Sequence, residues 1–573
     1  MSGFRTPEVP REQLVLWEHR LEDALPSDHQ VRHLALLLGS EAFADTFREM
    51  EGAYVLDRGK PPYHPRDLAG LYLYGMLHRM RSSRQLEAAC YSRLDVIWLM
   101  QGQTPDHSTI ADFVGRHGTT LRKLFRNTLE VLIRAELVKL SHVAVDGSKV
   151  EADAGKSSVR GEEKIRSWHK HVGEKVAALE QEWAENEKRE ASLFGEDNPW
   201  TNPAAKNAKQ GLAQLKRKQE KLAQALAQLQ RRQEAAVGSK PPKAIASTTD
   251  PDSRSMKDKE GRSKPNFNTQ VAVDDACGAI VAADVNDETD DSGQLTPMVD
   301  QVVEHCGAAP AAVTADSQYN TGHDLGAMEE RKIACYLPDA GQNSEAAAAS
   351  AGTPEALTRV AVGEALNESQ WEALPRNNQG MIDKSAFVYD GAKEAYRCPA
   401  GQTLVLLRTT RDEKKWGTAQ RRQYGGCAAC AGCAQAAACC KDSAKGRLIS
   451  RDQYEDHRER LRQRMATAEG REIYKRRKHT VEPRIGHIKH NLGVRRFLRR
   501  GLPKVKTEWS LVCTAVNVGI LLSHWNEVLK TMYKTAGEKL RLMPNRPCPT
   551  GWGDSPDAKR EDGPGKLIGK QEA

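Results

Sequence analysis

The sequence predicts a mixed α/β chain of several domains, with an all-α N-terminal domain and a sheet-containing core that is interrupted by inserts. Apolar residues recur at helical spacing up to about residue 138, and alternating β-branched segments follow near residues 145 and 270. The chain has 573 residues, which is more than one ordinary core accommodates, so we expect roughly three or four folded units.

Residues 1–138 are predicted to form the helical N-terminal domain. Leu68, Leu71 and Met76 share one helix face, and Ser108 or Thr109 is placed to cap the helix that follows Pro105. Short capped helices suit a helix-turn-helix-like DNA-binding domain. An ordinary helical dimerisation domain explains the same pattern equally well.

The predicted core comprises residues 139–158, 265–340 and 450–535. Its first strand contains Asp146, and a hairpin turns around residues 274–278. A helix from about Gly293 to His305 precedes a short apolar strand that ends at Asp316. Strand, hairpin, helix, strand, helix, strand is the order of a mixed sheet flanked by helices, and it matches a ribonuclease-H-like arrangement.

Two inserts and two further segments complete the predicted organisation. Residues 159–238 carry leucines at heptad spacing and predict an antiparallel helical hairpin, which could pair with itself or with a second subunit. Residues 239–264 are predicted to be a polar linker. Residues 341–449 form an Ala-rich insert with a cysteine cluster, and residues 536–573 have the composition of a disordered tail.

Charge and hydropathy favour a DNA-associated cytoplasmic protein with no membrane partner. The net charge is +8, and basic residues crowd between Arg471 and Lys506, where a polyphosphate would bind; a solvated basic helix face is the alternative. The N-terminus lacks a signal-peptide pattern. The most apolar segment, Leu511 to Leu522, is short and contains Asn517, so we predict a buried helix there.

Three carboxylates have contexts that suit metal-assisted phosphoryl transfer, which uses hard divalent ions held by acidic side chains. Asp146 lies in a strand before Gly147, Asp316 ends an apolar strand, and Glu482 lies on a helix among cations. Each has a structural alternative: a turn for Asp146, a helix cap for Asp316, and ion pairing along the helix for Glu482.

The chain resembles the DDE transposases of bacterial insertion sequences. The N-terminal resemblance rests on GKPPYHPRDLAGLYLYGML, RSSRQLEAA and PDHSTIADF. The catalytic resemblance rests on VAVDGSKVEADA, FNTQVAVD, VTADSQYN and YKRRKHTVEPRIGHIKHNLGVRRFLRRGLPKVKTEW. It implies that Asp146, Asp316 and Glu482 are the catalytic triad and bind Mg²⁺ or Mn²⁺.

The resemblance also implies residues that contact DNA phosphates. The family has a Tyr, an Arg and a Lys at set distances around its Glu, although here the Arg-to-Glu gap is one residue longer. The DNA-binding candidates are Tyr474, Arg477, Lys489, Arg495, Arg496, Arg499 and Arg500. Asn268 and Gln270 match a polar block that supports the sheet or touches DNA, and Asp291 is expected to act only behind the metal ligands.

The cysteine cluster predicts a zinc site or, alternatively, free thiols in a degenerate insert. Paired thiolates separated by a loop can give a tetrahedral Zn²⁺ site. The candidate ligands are Cys398, Cys427, Cys430 and either Cys439 or Cys440, with Cys433 as a further alternative.

The reaction implied by the resemblance is metal-dependent cleavage at the ends of a mobile element, followed by strand transfer into target DNA. Its partners would be terminal inverted repeats, target DNA and a second copy of the chain in a homodimer. Two rivals remain at this stage: a ribonuclease-H-like nuclease that does not join ends, and a DNA-binding protein with a dead catalytic domain.

Overall fold

A computed structural model describes ten stretches of the chain. They are residues 21–54, 61–194, 203–235, 244–257, 261–338, 354–377, 379–414, 417–426, 428–442 and 445–535. The predicted disordered tail, residues 536–573, lies outside the described residues. The described elements are a mixture of α-helices and β-strands, which confirms the α/β class.

Every secondary-structure element described before residue 135 is helical. After a 3₁₀ turn at Leu21–Ala24, the helices are Gln30–Leu38, Glu41–Glu51, Pro65–Leu77, Ser83–Ser92, Leu94–Leu99, His107–Arg116, Gly118–Leu121 and Lys123–Arg134. Ser82 and Gln85 form a capping box that starts one of them. The helix His107–Arg116 is capped by Asp106, which accepts from the N–H groups of Ser108 and Thr109, so the prediction of Ser108 or Thr109 as the cap is wrong.

The core contains a six-stranded sheet. Its strands are β1 (Val143–Glu151), β2 (Arg254–Lys257), β3 (Ser263–Asp274), β4 (Ile280–Asn286), β5 (Ala312–Thr314) and β6 (Ala334–Tyr336). β1 is central: it pairs antiparallel with β3 and parallel with β5, and β5 pairs parallel with β6. β2 and β4 pair antiparallel with β3.

Helices cover this sheet, and the most apolar one is buried. They are Leu295–Cys306, Gly322–Glu330, Glu455–Ala466, Ala468–Gly486 (the basic helix), Leu502–Ser523 (the buried helix) and Trp525–Thr535. The buried helix has 22 residues and is long and apolar enough to cross a membrane, but 83% of its most apolar window is buried in the protein. The predicted buried segment 511–522 therefore belongs to a longer core helix.

The first insert contains two long helices, Glu162–Phe194 and Pro203–Glu234, packed against each other. Their apolar seam includes Ile165, Val176, Leu222 and Leu229, all of which are buried. This contact confirms the predicted pairing of the two helical segments within one chain. Short strands Val159–Gly161 and Ile245–Ser247 pair antiparallel at the base of the hairpin.

The cysteine-containing insert has regular secondary structure, although its Ala-rich sequence shows no clear helix or strand pattern. Helices Pro354–Val362 and Glu368–Glu372 precede an antiparallel sheet, and the short helix Ala436–Cys439 lies before its last strand. The strands are Val388–Asp390, Ala395–Arg397, Thr403–Lys414, Gly417–Gly425 and Ile449–Asp452. Three tyrosines, Tyr389, Tyr396 and Tyr424, pack together at its centre, with Arg451 over the ring of Tyr389.

The sequence did not predict two parts of this fold. The predicted linker 239–264 contains two short strands in its described part: Ile245–Ser247 pairs with the distant strand Val159–Gly161, and β2 pairs with the following strand β3. The second insert, predicted only as an Ala-rich segment with a cysteine cluster, contains a five-stranded sheet. Alanine-rich connecting segments obscured the strand pattern.

The buried Asn517 side chain ties the buried helix to an edge of the sheet. Its Nδ2 donates to the Ile280 carbonyl at 2.9 Å, and its Oδ1 accepts from the Ile280 N–H at 2.9 Å. An Asn517→Leu variant removes the hydrogen-bond partners of two buried backbone groups. We therefore expect it to lower the free energy of unfolding by about 2–4 kcal/mol. Urea unfolding followed by circular dichroism measures the change.

The control is Ser510→Ala, a half-buried position on the same helix, which should change stability by less than about 0.5 kcal/mol. Equal stability of the Asn517→Leu variant and the control would contradict the proposed role of Asn517.

Candidate active site

The central strand brings Asp146 and Asp316 to the same level of the sheet. Ala144 of β1 is paired with Thr314 of β5 in parallel register. Asp146 and Asp316 each lie two residues beyond that pair, and adjacent strands are about 4.8 Å apart. The two carboxylates therefore approach each other where β5 ends.

Asp146 is largely buried and is paired with Arg477 of the basic helix. Arg477 Nη2 lies 3.0 Å from Asp146 Oδ1, and the two side chains are 12% and 15% exposed, respectively. Burial raises the pKa of Asp146 to about 6, although Arg477 lowers it, and the negative charges of Asp316 and Asp291 raise it further. Arg477 Nε is also buried and has no hydrogen-bond partner among the described residues.

A third acidic side chain, Asp291, packs against Gly147, the residue that follows Asp146 in β1, and is held by a polar network. Its Oδ1 accepts from Asn268 Nδ2 at 2.7 Å and from Gln270 Nε2 at 2.6 Å. The hydroxyl of the buried Tyr319 donates to Gln270 Oε1. Burial raises the pKa of Asp291, against these amide donors, and Asp316 raises it further.

Tyr474 of the basic helix faces the same group of charges. Burial raises its pKa, Arg477 lowers it, and Asp316 and Asp146 raise it. Tyr474 and Arg477 are one helical turn apart, so both side chains can face the acidic site. The two sequence-predicted residues are thus brought together with Asp146 and Asp316.

Glu482 lies on the basic helix, as predicted, but on another face. It is exposed, and no hydrogen bond or ion pair joins it to Asp146 or Asp316 in the described part of the chain. At 100° per residue, Glu482 is about 140° around the helix from Arg477. The face that carries Arg477 continues instead at Val481, which is fully buried.

Residues 490–500, the basic loop, are held in place by a side chain of the buried helix and by Arg81, which lies just before the helix Ser83–Ser92. Glu508 of the buried helix accepts from the N–H groups of Leu498 and Arg499 and pairs with Arg81 at 2.9 Å. Arg81 also donates to the carbonyls of Gly493 and Arg496. The loop conformation therefore depends on a nearly buried ion pair between the N-terminal helices and the core.

The cations predicted to contact DNA have different surroundings. Arg496 and Arg500 are exposed and pair with Asp153, while exposed Arg495 contacts His490 at 2.9 Å. Arg499 is half-buried against Tyr72 and the Ala111 carbonyl. Lys489 lies half-buried in the π-helical turn His487–Asn491 that follows the basic helix.

Several cysteines of the second insert lie close together. Cys430, Cys439 and Cys440 lie near one another, and burial raises the pKa of Cys439 to about 12 and also raises that of Cys440. Cys433 and Cys398 are half-buried, and Cys427 lies outside the described residues. Among the residues that the structure describes, no three His, Cys, Asp or Glu side chains are arranged to hold a metal ion.

Sequence reasoning did not identify every feature of this region. Asp291, which was expected to act only behind the metal ligands, packs against Gly147 and accepts from Asn268 and Gln270. Asn268 and Gln270 occupy alternate positions of β3, so their side chains share one face of the sheet. Glu508 and Arg81 were not identified at all, because their pairing joins positions more than four hundred residues apart.

Two stretches of the chain match known family models. Residues 397–522 match the model described as "Transposase DDE domain", and residues 19–116 match "Transposase domain (DUF772)". The first match includes Glu482 and the basic loop, and neither includes Asp146 or Asp316. No curated protein and no solved structure matches the chain.

The raised pKa of Asp146 predicts a pH dependence of stability. Folding favours the protonated carboxyl, so its stabilising contribution is present at low pH and is lost as the pH rises through about 6. Relative to Asp146→Asn, the metal-free protein should lose about 2 kcal/mol of stability between about pH 4.5 and about pH 7.5. Urea unfolding at several pH values in a chelator measures this difference, with Asp300→Asn on the surface as control.

A stability difference between wild type and Asp146→Asn that stays constant over this range would show that the Asp146 pKa is not raised. The comparison uses only the pH dependence, so the constant cost of leaving Arg477 unpaired in the variant cancels.

Proposed function

Because its two family matches support an insertion-sequence-type DDE transposase, we propose that this chain cuts DNA at the ends of a mobile element and joins them to target DNA. The observation that carries the proposal is that Asp146, within β1, and Asp316, just after the end of the neighbouring β5, lie beside a basic helix and a basic loop. The protein is accordingly a DNA-associated polynucleotidyl transferase of the cytoplasm.

The proposed site chemistry is metal-dependent. Asp146, which is largely buried with its pKa raised to about 6, and the neighbouring Asp316 carry hard oxygen donors of the kind Mg²⁺ or Mn²⁺ requires, so the residues fit such an ion. When bound, a divalent ion would supply charge neutralisation at the scissile phosphate and activate the attacking oxygen. Asp146 and Asp316 would hold it, and Glu482 remains the third member implied by the family resemblance.

The chain's own residues would position the DNA strand. Arg477 neutralises Asp146 at 3.0 Å and can exchange this contact for a phosphate oxygen beside the cleavage point. Tyr474 lies against the same acidic group and can pack on the sugar-phosphate backbone. Lys489 follows on the π-helical turn at the end of the helix.

A cationic surface extends from this site and suits a DNA backbone. The basic loop presents Arg495, Arg496 and Arg500, while Arg499 braces it against the N-terminal helices. An open cleft of about 790 Å³ runs along the basic helix, with His479, Arg484, His487 and His490 in its lining. DNA binding here would release counterions from the phosphates and weaken with salt.

The proposed domain assignment follows the sheet and the family matches. The strand order β4–β3–β1–β5–β6, with β3 and β4 antiparallel to β1, supports a ribonuclease-H-like catalytic domain. The helices before residue 138 would bind the terminal inverted repeats or a second subunit. The hairpin formed by residues 159–238 offers a coiled-coil surface for a homodimer.

A structural zinc ion is proposed for the second insert. Cys430, Cys439 and Cys440 lie near one another, which supports a four-thiolate site made of Cys398, Cys427, Cys430 and either Cys439 or Cys440. Cys433 lies in the same short segment and is the alternative ligand. Such a site would hold the loop after the five-stranded sheet in a fixed conformation.

Catalysis tests the proposal directly. We expect Asp146→Asn and Asp316→Asn to reduce cleavage of element-end DNA about a hundredfold or more in Mg²⁺ or Mn²⁺, because each removes a metal-binding charge. The substrate is a fragment carrying the inverted repeats that flank the gene, labelled at its 3′ end. Gel analysis reports both cleavage and strand transfer.

Both variants should still bind the same fragment, and Asp300→Asn on the exposed helix surface should retain activity. Cleavage without joined product would favour a nuclease over a transposase. Absence of cleavage by the wild-type protein, with binding intact, would favour a catalytically dead DNA-binding protein.

Metal analysis tests the zinc proposal. We expect purified protein to contain about one Zn²⁺ per chain, and Cys430→Ser to lose it because a tetrahedral site cannot form with three thiolates alone. Cys513→Ala, a buried thiol of the buried helix, is the control and should keep the metal. A zinc-free wild type prepared without chelators would show that the thiols are free.

A further inference from the structure

We propose that the second helix of the hairpin insert binds the phosphate backbone of a DNA duplex along its outer face. The hairpin, or arm, consists of the first arm helix, Glu162–Phe194, and the second arm helix, Pro203–Glu234. This inference rests on the proposed DNA binding by the basic loop. It adds a separate DNA-contacting surface, which lies outside both family matches.

The two arm helices differ in net charge. The second arm helix has eight Lys and Arg residues and two Glu residues, whereas the first has eight Glu residues and six Lys and Arg residues. Lys216 pairs across the arm with Glu180 at 2.6 Å. The acidic residues of the first helix outnumber its own cations by only two, so they leave most of the positive excess of the second helix in place. A positive excess of this kind suits a polyanionic partner.

The apolar side of the second arm helix is already used within the chain. Leu222, Ala225 and Leu229 are buried against the first arm helix. At 100° per residue, seven residues on the opposite side lie within about 100° of the helix circumference and form the outer stripe. All are exposed except the half-buried Gln228. The outer stripe comprises Gln210, Gln214, Arg217, Lys221, Gln224, Gln228 and Arg231.

The side chains of the outer stripe suit DNA phosphates. In the described part of the chain, no ion pair joins Arg217, Lys221 or Arg231 to an acidic side chain. Glutamine amides donate to phosphate oxygens and bring no negative charge, and the only acidic residue at the border of the stripe is Glu220. From end to end the stripe spans about 31 Å, which is close to one turn of B-DNA.

The base of the arm adjoins the end of the basic loop. Gln228 Nε2 donates to Asp252 Oδ1 at 2.6 Å, and Asp252 Oδ2 accepts from the Leu502 N–H at 2.7 Å, two residues beyond the loop. Arg232 donates to the Asp252 carbonyl and pairs with Asp287 at 2.9 Å. These contacts fix the second arm helix next to the loop, so a duplex held by the loop can continue along the outer stripe.

Fluorescence anisotropy of the full-length protein with a labelled duplex of arbitrary sequence, about four helical turns long, tests this inference. The double variant Arg217→Gln with Lys221→Gln should weaken binding about tenfold and reduce the salt dependence of the affinity by about two phosphate contacts. The matched control is Lys170→Gln with Lys175→Gln, which removes the same charge from exposed positions of the first arm helix. Its affinity should stay within about twofold of wild type.

Two further variants separate the charge of the outer stripe from the stability of the arm. Arg217→Lys with Lys221→Arg keeps both charges and should bind DNA like wild type. Glu220→Gln removes the acidic group at the border of the stripe and should increase the affinity. Thermal unfolding of each variant identifies any loss of folding, and sedimentation velocity without DNA measures the oligomeric state.

The outcomes separate this inference from the proposed function. If Arg495→Gln with Arg496→Gln weakens DNA binding while the Arg217 and Lys221 double variant does not, the inference is overturned and the proposed function stands. An equal loss in the control on the first arm helix would also overturn it, as would a stripe variant that changes only the oligomeric state, which would assign the stripe to a second copy of the chain. Wild-type protein that binds no DNA would overturn the proposed function itself.

Discussion

The contact between Asp146 and Arg477 joins the first strand of the six-stranded sheet to the basic helix. Asp146 comes from the first strand, and Arg477 comes from a helix that follows both inserts, more than three hundred residues later. A buried carboxylate needs a partner, and a buried guanidinium needs one equally. Because each satisfies the other, the basic helix is fixed over the ends of β1 and β5, which is where DNA must lie for the proposed chemistry.

A second long-range ion pair fixes the surface around that site. Glu508 and Arg81, which pair with each other, both bind the backbone of the basic loop and so support its arginines. A rigid support would lower the entropy lost if phosphates bind there, as proposed. The N-terminal part of the chain therefore contributes to the conformation of this cationic surface.

The local sequence pattern was sufficient to predict the strand that contains Asp146 and the strand that precedes Asp316, because alternation and β-branching are properties of a few consecutive residues. It was insufficient for the second insert, where a sheet is stabilised by packing of Tyr389, Tyr396 and Tyr424 from separate strands. The Arg81–Glu508 ion pair was not predicted from the sequence for the same reason. Such contacts depend on tertiary structure, which spacing along the chain does not encode.

Glu482 shows that a correctly predicted helix does not by itself determine the direction in which a side chain points. The helix was predicted, but one additional residue between Arg477 and Glu482 rotates the acid by about 100° around the helix axis. Buried Val481 then faces the core in its place. A strand tolerates no such ambiguity, because its side chains alternate and its register is fixed on both edges. Asp146 and Asp316, the two carboxylates anchored to neighbouring strands, are therefore the ones whose mutual placement the fold determines most strictly.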